Sequence, residues 1–354
     1  MTRLVVALTL LLGLLAAAPL TRADSGQREL VFLNWADYMD PALVEEFEKT
    51  HGVKVKQVYF DTDDARTDLL LNTKGAGYDL IVCNDSALNA YVKSGWLDPV
   101  SADEIPNLKH IDPRWRGKGA IGRYGAPYFW GTVGIGYRKD LVREPVTSWK
   151  ALFQPAAALR GRIAMINDVR DTIGMALKTL GHSLNNSDPK VLAQVERLLV
   201  AQRPFVKTYS YVSLGEDSAL LTGEVWMAMM YNGDALMLRE RNPNIDFVVP
   251  AEGTNLWVDH LAVLRNAPNK ALAMQFIDFV NEPRNAARLA QYVHYATTNL
   301  SAEKLLPAEM LADPVVYPPP AVLQRSEMHV LPSPRAASRR NAIFARLHAG
   351  GSAP

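Results

Sequence analysis

The chain has 354 residues, above the size at which one compact core usually stops growing, so two lobes are expected rather than one small domain. A hydrophobic fraction of 48% with 8% aromatics excludes disorder, and a formal net charge of +1 provides no basic field for nucleic acid. Loss of Arg3 and Arg22 with a leader would take that charge to −1, which excludes such a field equally.

Arg3 precedes an apolar run over 4–18 that only Thr9 and Gly13 interrupt, and Thr21-Arg22-Ala23 offers small residues where a signal peptidase reads. Residues 1–23 therefore read as a cleaved signal peptide. The run is too short for a comfortable membrane span, and no Cys follows it to take a lipid, so the mature chain is expected free in the periplasm. Residues 30–33 form a short apolar run that predicts a buried strand. A helix follows: Asp40 can cap it, Pro41 suits its first position, Leu43, Val44 and Phe47 form its inner stripe, and Gly52 lies past its end. Val53, Val55 and Phe60 predict a second strand, a helix is expected over 64–72, and a third strand over 78–83, so the fold class is α/β with parallel pairing. Cys83, the only cysteine, ends the apolar run 80–82; it excludes an intrachain disulfide and reads as a buried filler rather than a nucleophile.

A second tract, 146–255, repeats the alternation with a strand at 163–166, a helix opened by Asp188-Pro189 and a strand at 225–230. The chain then returns through a strand at 261–264 and a helix at 269–281 that Pro283 is expected to stop. A proline-rich tail over 314–334, with Pro318-Pro319-Pro320 extended, leads to a final helix around 339–348.

Gly117-Lys118-Gly119-Ala120-Ile121-Gly122 matches the dinucleotide fingerprint in letters only. Residues 112–116 are no strand, and Gly125 and Pro127 prevent a helix after it. No cofactor is implied, and the seven scattered histidines suggest no metal site. What remains is a set of acids and aromatics at strand ends, where α/β proteins bind ligands. Trp35, Asp37 and Tyr38 follow the first strand, and Asn84, Asp85 and Ser86 the third. Asp168 and Asp171 follow 163–166, Tyr231 and Asp234 follow 225–230, and Trp257 and Asp259 mark the return to the first lobe. Any one acid here reads most simply as a helix cap. Together, carboxylates that neutralise ammonium groups and rings that cover methylenes suit an aliphatic polycation. Paired carboxylates also leave open a secreted hydrolase.

The order and spacing of many short motifs resembles the periplasmic polyamine-binding proteins of bacterial ABC importers, from residue 30 to about 350. These motifs are Asn34-Trp35-Ala36-Asp37-Tyr38, Gly77-Tyr78-Asp79-Leu80-Ile81-Val82, Pro127-Tyr128-Phe129-Trp130-Gly131-Thr132, Gly134-Ile135-Gly136-Tyr137, Thr147-Ser148-Trp149, Tyr231-Asn232-Gly233-Asp234, Trp257-Val258-Asp259 and Asn281-Glu282-Pro283. The resemblance implies a two-lobed periplasmic-binding-protein fold, a type II Venus-flytrap clamp whose lobes are mixed sheets flanked by helices. It places one lobe at 28–137 with 259–308 and the other at 138–258 with 309–350. It implies no enzyme but a monomeric receptor that captures putrescine, spermidine or a similar polyamine and docks on an inner-membrane permease. Another organic cation such as agmatine, or a sensing role, is the alternative. Ligand binding is carried onto Trp35, Asp37, Tyr38, Ser86, Asp171, Tyr231, Asp234, Trp257 and Asp259, with Asp85 beside Ser86; Asp168 is expected to cap its helix. Three departures, Cys83-Asn84-Asp85-Ser86-Ala87, the short acid at Asp171 and the turn Asp61-Thr62-Asp63-Asp64, imply a more acidic wall and altered selectivity.

Overall fold

A continuous apolar run suits a strand buried between two others, and the first such run finds a partner on each side. The computed structural model describes residues 28–116 and 121–349; the expected signal peptide and Gly117 to Ala120 of the glycine-rich stretch lie outside them. Strand β1 (Glu29–Asn34) pairs in parallel with β2 (Lys54–Tyr59) and β3 (Leu80–Asn84). Between the first two lies the helix Pro41–His51. The Asp40 carboxylate accepts from the Ala42 amide at 2.9 Å, and Gly52 closes the helix at φ 63°, a left-handed turn that a Cβ would oppose.

The second half of the sheet is built from β4 (Ala126–Arg138), β5 (Ile163–Met165), β6 (Val206–Tyr209), β7 (Met227–Tyr231) and β8 (Ile245–Val248). The chain returns on β9 (Leu256–Val263), and β10 (Ala296–Thr297) adds a short edge against β4. The strand order is β2-β1-β3-β9-β4-β7-β5-β6. Parallel pairs (β1 with β2 and β3, β5 with β6 and β7) and antiparallel ones (β9 with β3 and β4, β4 with β7 and β8) make each half a mixed sheet. Leu30, Phe32, Phe47, Leu80 and Phe276 belong to one core; Trp149, Ile163, Ile173, Leu199 and Met229 belong to another. A third cluster draws on both halves, joining Trp115 and Trp130 to Met230 and Phe247. This is the expected two-lobed α/β clamp. No helix among the described residues is long and apolar enough to cross a membrane.

Several boundaries differ from the sequence reading. The strand expected at 225–230 begins at Met227, because the Val225 amide closes a turn onto Ala219 and the Trp226 amide goes to Arg162. The strand expected at 261–264 begins at Leu256, since the polar Asp259 and His260 are paired within it. Pro283 does not merely end a helix. It opens the next one, Pro283–Val293, with the Glu282 carboxylate capping the amides of Arg284 and Asn285. Pro319 is extended as expected, but Pro320 opens the short helix Pro320–Leu323, and the last helix is longer than expected, Pro334–Ala349. The glycine-rich stretch leads through a single 3-10 turn, Ile121–Arg123, into β4 and opens no α-helix whose N-terminus could bind a phosphate.

Asp79 shows what the Gly-Tyr-Asp motif does locally. Its buried carboxylate accepts from the Val31 amide at 2.8 Å and the Asn269 amide at 2.7 Å, tying β1 to the start of the helix Lys270–Asn281. Hydrogen bonds to a charged acceptor contribute about 1.5–3 kcal/mol each. Asp79→Ala is therefore expected to lower unfolding free energy by about 3 kcal/mol, read as a lower urea midpoint, because both amides lose their acceptor. An unchanged midpoint would refute the assignment.

Candidate ligand-binding cleft

Strands of both halves end on one cavity of about 660 Å³, and all ten residues singled out in the sequence line it: Trp35, Asp37, Tyr38, Asp85, Ser86, Asp171, Tyr231, Asp234, Trp257 and Asp259. Local chemistry explains their placement. After β1 the chain turns through Asp37 at φ 54°, which lets Tyr38 point back into the core. After β3, Asn84 caps the helix Asp85–Lys93 by accepting from the Ala87 amide at 3.1 Å, leaving Asp85 and Ser86 at the cavity. Asp168 caps the helix Val169–Thr179, as expected, by accepting from the amides of Arg170 and Asp171. Tyr231 ends β7, Asp234 sits in the first turn of the helix Asn232–Arg241, and Trp257 and Asp259 stand on β9. Two glycines make room. A Cβ at Gly131 would lie 2.6 Å from the Trp257 ring, and one at Gly233 2.5 Å from Tyr295.

The rings form an unbroken chain through the cavity. Phe60 meets Trp35 at 4.3 Å between centroids, Trp35 meets Tyr211 at 5.9 Å, and Tyr211 stacks on Tyr231 at 6.1 Å and 19°. Tyr231 meets Trp257 edge-on at 5.8 Å, Trp257 meets Tyr295 at 5.0 Å, and Tyr295 meets Tyr38 at 5.8 Å. From Trp35–Tyr211 onward these spacings lie in the range where aromatic pairs attract, and Phe60 and Trp35 are in closer contact still.

The carboxylates fall into two sets. Asp171 is internally satisfied: Tyr231 donates to it at 2.9 Å and Asn255 at 2.8 Å, while His329 Nε2 lies 3.0 Å away. Burial alone would raise its pKa, yet the hydrogen bond and charge of His329, with Arg170 and Tyr231, hold it below the ordinary value. Asp63, also on the cavity wall, is set against burial by the charges of Arg66 and Arg170 and held at about 2. The second set comprises Asp259, Asp85 and Asp234, and none of these has a Lys or Arg ion-pair partner among the described residues. Asp259 accepts from Tyr38 at 3.1 Å and Asp234 from Tyr295 at 2.7 Å. Burial, aided by the charge of Asp63, pushes Asp259 up to about 7, and burial lifts Asp85 and Asp234 to about 6. His260 comes within 3.4 Å of Asp85 but gives it no cation, because burial lowers the imidazole to about 4. The Ser86 hydroxyl is buried with no hydrogen-bond partner among the described residues.

The cavity also holds residues that the sequence reading passed over: Phe60, Arg170, Tyr211, Tyr295 and His329. Tyr211 follows β6 and obeyed the same strand-end rule. Arg170 adjoins an acid already singled out. Tyr295 and His329 lie on the loop before β10 and in the proline-rich tail, where nothing local marks them.

A family model for the bacterial extracellular solute-binding proteins matches residues 42–317. The chain belongs to that family. This solute-binding protein is 33% identical over 301 residues to the spermidine/putrescine-binding periplasmic protein of Escherichia coli K12, covering 84% of this chain and 85% of that one. It is 36% identical over 293 residues to the norspermidine sensor of Vibrio cholerae, covering 82% and 80%. A solved spermidine/putrescine ABC transporter substrate-binding protein from Streptococcus pneumoniae superposes with a TM-score of 0.77 at 28% identity, covering 91% of this chain and 99% of that one. These likenesses span both halves of the sheet.

The second set of carboxylates makes stability depend on pH. Each has a folded pKa above its unfolded one, so between about pH 4 and pH 7 the folded form holds more protons, and its stabilisation is lost as pH rises through that window. Asp259→Asn removes the largest of these shifts. The ligand-free variant is expected to gain thermal midpoint over the native protein at about pH 8 and little or nothing at about pH 5. Equal differences at both pH values would show that Asp259 does not titrate as described.

Proposed function

We propose that this solute-binding protein is the periplasmic receptor of an ABC importer, capturing a polyamine such as putrescine or spermidine between its lobes and delivering it to an inner-membrane permease. The observation that carries this reading is a buried carboxylate, Asp259, and two half-buried ones, Asp85 and Asp234, all without a Lys or Arg partner among the described residues and set along a continuous chain of aromatic rings. A buried unpaired charge is costly, and an ammonium group relieves it. Rings that cover the methylenes add about 0.8 kcal/mol per buried CH₂, and cation–π contact adds up to about 2 kcal/mol where water is excluded.

In this reading Asp259, Asp85 and Asp234 hold the ammonium groups, and the Ser86 hydroxyl accepts from one of them. Trp35, Tyr38, Tyr231 and Trp257 box the stem, with Asp37 at the rim. Asp171, whose oxygens are already engaged, fixes Tyr231 instead of meeting the ligand. The lobes divide as 28–137 with 259–308 and 138–258 with 309–350, and ligand bridging the two favours closure. The protein acts as a monomer without chemistry of its own, after removal of residues 1–23. The likeness to a norspermidine sensor supports a second reading, in which the same cleft reports on a polyamine to a signalling partner. Loss of labelled putrescine uptake on gene deletion would select transport, and intact uptake would select sensing.

Calorimetry with putrescine, spermidine, cadaverine and agmatine tests the ligand class. Asp259→Ala and Trp257→Ala are each expected to weaken binding at least about tenfold, about 1.4 kcal/mol. Because cation binding drives Asp259 into its ionised form, affinity is expected to rise with pH through about 6–7, with protons released to the buffer. Millimolar or absent binding of all four compounds would defeat the polyamine reading.

A further inference from the structure

Seven aspartates line the cavity (Asp37, Asp61, Asp63, Asp85, Asp171, Asp234 and Asp259), against a single Lys or Arg among the described residues, Arg170. A cleft for cations that spends one of its own side chains as a cation requires a reason. Arg170 is the second residue of the helix Val169–Thr179 in the second lobe, and its guanidinium is held there by Asp168 at 3.1 Å. From that anchor it crosses to the first lobe. Nη2 contacts the Asp63 carboxylate, and Nη1 donates to Asn84 Oδ1 at 3.1 Å.

Asp63 does not need Arg170. Within its own lobe it pairs with Arg66 at 2.6 Å, and that guanidinium is fully buried, lying over the Phe60 ring at 5.1 Å and the Tyr91 ring at 5.8 Å. Arg170 is likewise matched by Asp168 in its own lobe. Each lobe therefore presents a neutral pair, and closure joins the two pairs into an alternating row, Arg66-Asp63-Arg170-Asp168. Opening the clamp strands no charge. The row also lies beside the ring chain, since Asp168 and Asp63 are near enough to the Tyr211 phenol to help burial raise its pKa.

We infer that Arg170 is a specificity-determining residue: a built-in cation that occupies the Asp63–Asn84 wall on closure and so limits how many positive charges a ligand can place in the cleft. This rests on the polyamine reading. A dication meets the carboxylates that lack partners, whereas a further ammonium of a longer polyamine finds this wall already taken.

Putrescine, spermidine and spermine are titrated by calorimetry into the native protein, Arg170→Gln and Arg170→Lys. Arg170 is partly exposed in the first turn of its helix, so neither change empties a core. Arg170→Gln is expected to raise the spermine-to-putrescine affinity ratio at least about tenfold, while Arg170→Lys, which keeps the charge, stays within about threefold of native. A merely structural role would shift all three affinities together and leave the ratio unmoved. An unmoved ratio in Arg170→Gln, or an equal shift in Arg170→Lys, overturns the inference. If the native protein binds no polyamine, it is the functional reading that fails. The inference is then judged by small-angle scattering of the ligand-free proteins, where Arg170→Gln must be more expanded than native and an unchanged profile overturns it.

Discussion

The ladder between β4 and β9 is the constraint on which both lobes and the cleft depend. β4 pairs with β9 through Thr132 and, from Val133 onward, with β7 and β8, so one strand belongs to both sheets. β9 in turn lies against β3 through Asp259 and against β4 through Trp257. Two groups of the cleft, the Trp257 ring and the Asp259 carboxylate, thus stand on the backbone that joins the lobes. Their positions are set by hydrogen-bond register rather than by a loop, and Gly131 on the facing strand leaves the room the indole occupies. Rigid elements hold functional groups more accurately than loops do.

Around that ladder the cleft treats its carboxylates in two ways. Asp63, Asp168 and Asp171 are matched by Arg66, Arg170 and His329 or by hydrogen-bond donors, so their charge is accounted for whether or not anything is bound. Asp259, Asp85 and Asp234 are left with phenol donors or with a neutral imidazole nearby, and burial works against their ionisation. The first group fixes geometry. The second holds unmet electrostatic demand, and a shared low-dielectric space makes that demand large. One residue type serves both ends, and neighbours alone decide which.

Much of this was legible in the sequence, and the reason is local. Asp40, Pro41 and Gly52 specify a helix by capping chemistry that tertiary contacts only confirm. The strand-end rule brought eight residues from four segments to one cavity, and Trp257 and Asp259, expected at the return to the first lobe, reach it from within β9. What stayed hidden was long-range. Asp259 and His260 made β9 look polar until their partners on β3 were known, because a strand between two others hides its backbone whatever its side chains are. Tyr295 and His329 come from segments with no strand-end signature, and only packing aims them inward. Asp171 shows the same limit from another side. Its position was read correctly, but a single sequence cannot reveal that Tyr231, Asn255 and His329 already surround it.

The turn Asp61-Thr62-Asp63-Asp64 illustrates how a local departure acquires meaning from the whole fold. Locally, Thr62 caps the helix Asp63–Thr73 by accepting from the Ala65 amide. In three dimensions the same turn also brings Asp63 between a buried arginine of its own lobe and an arginine from the other, with Asn84 Nδ2 donating at 2.5 Å. An acid with two arginines is held ionised, so it cannot serve as a free counter-ion for a ligand, although it faces the cavity. Counting acids along a wall therefore overstates what a cation would find there. The relevant quantity is the charge left over after the protein has paired its own side chains; away from solvent that remainder resides on Asp259, Asp85 and Asp234, while Asp37 and Asp61 are exposed.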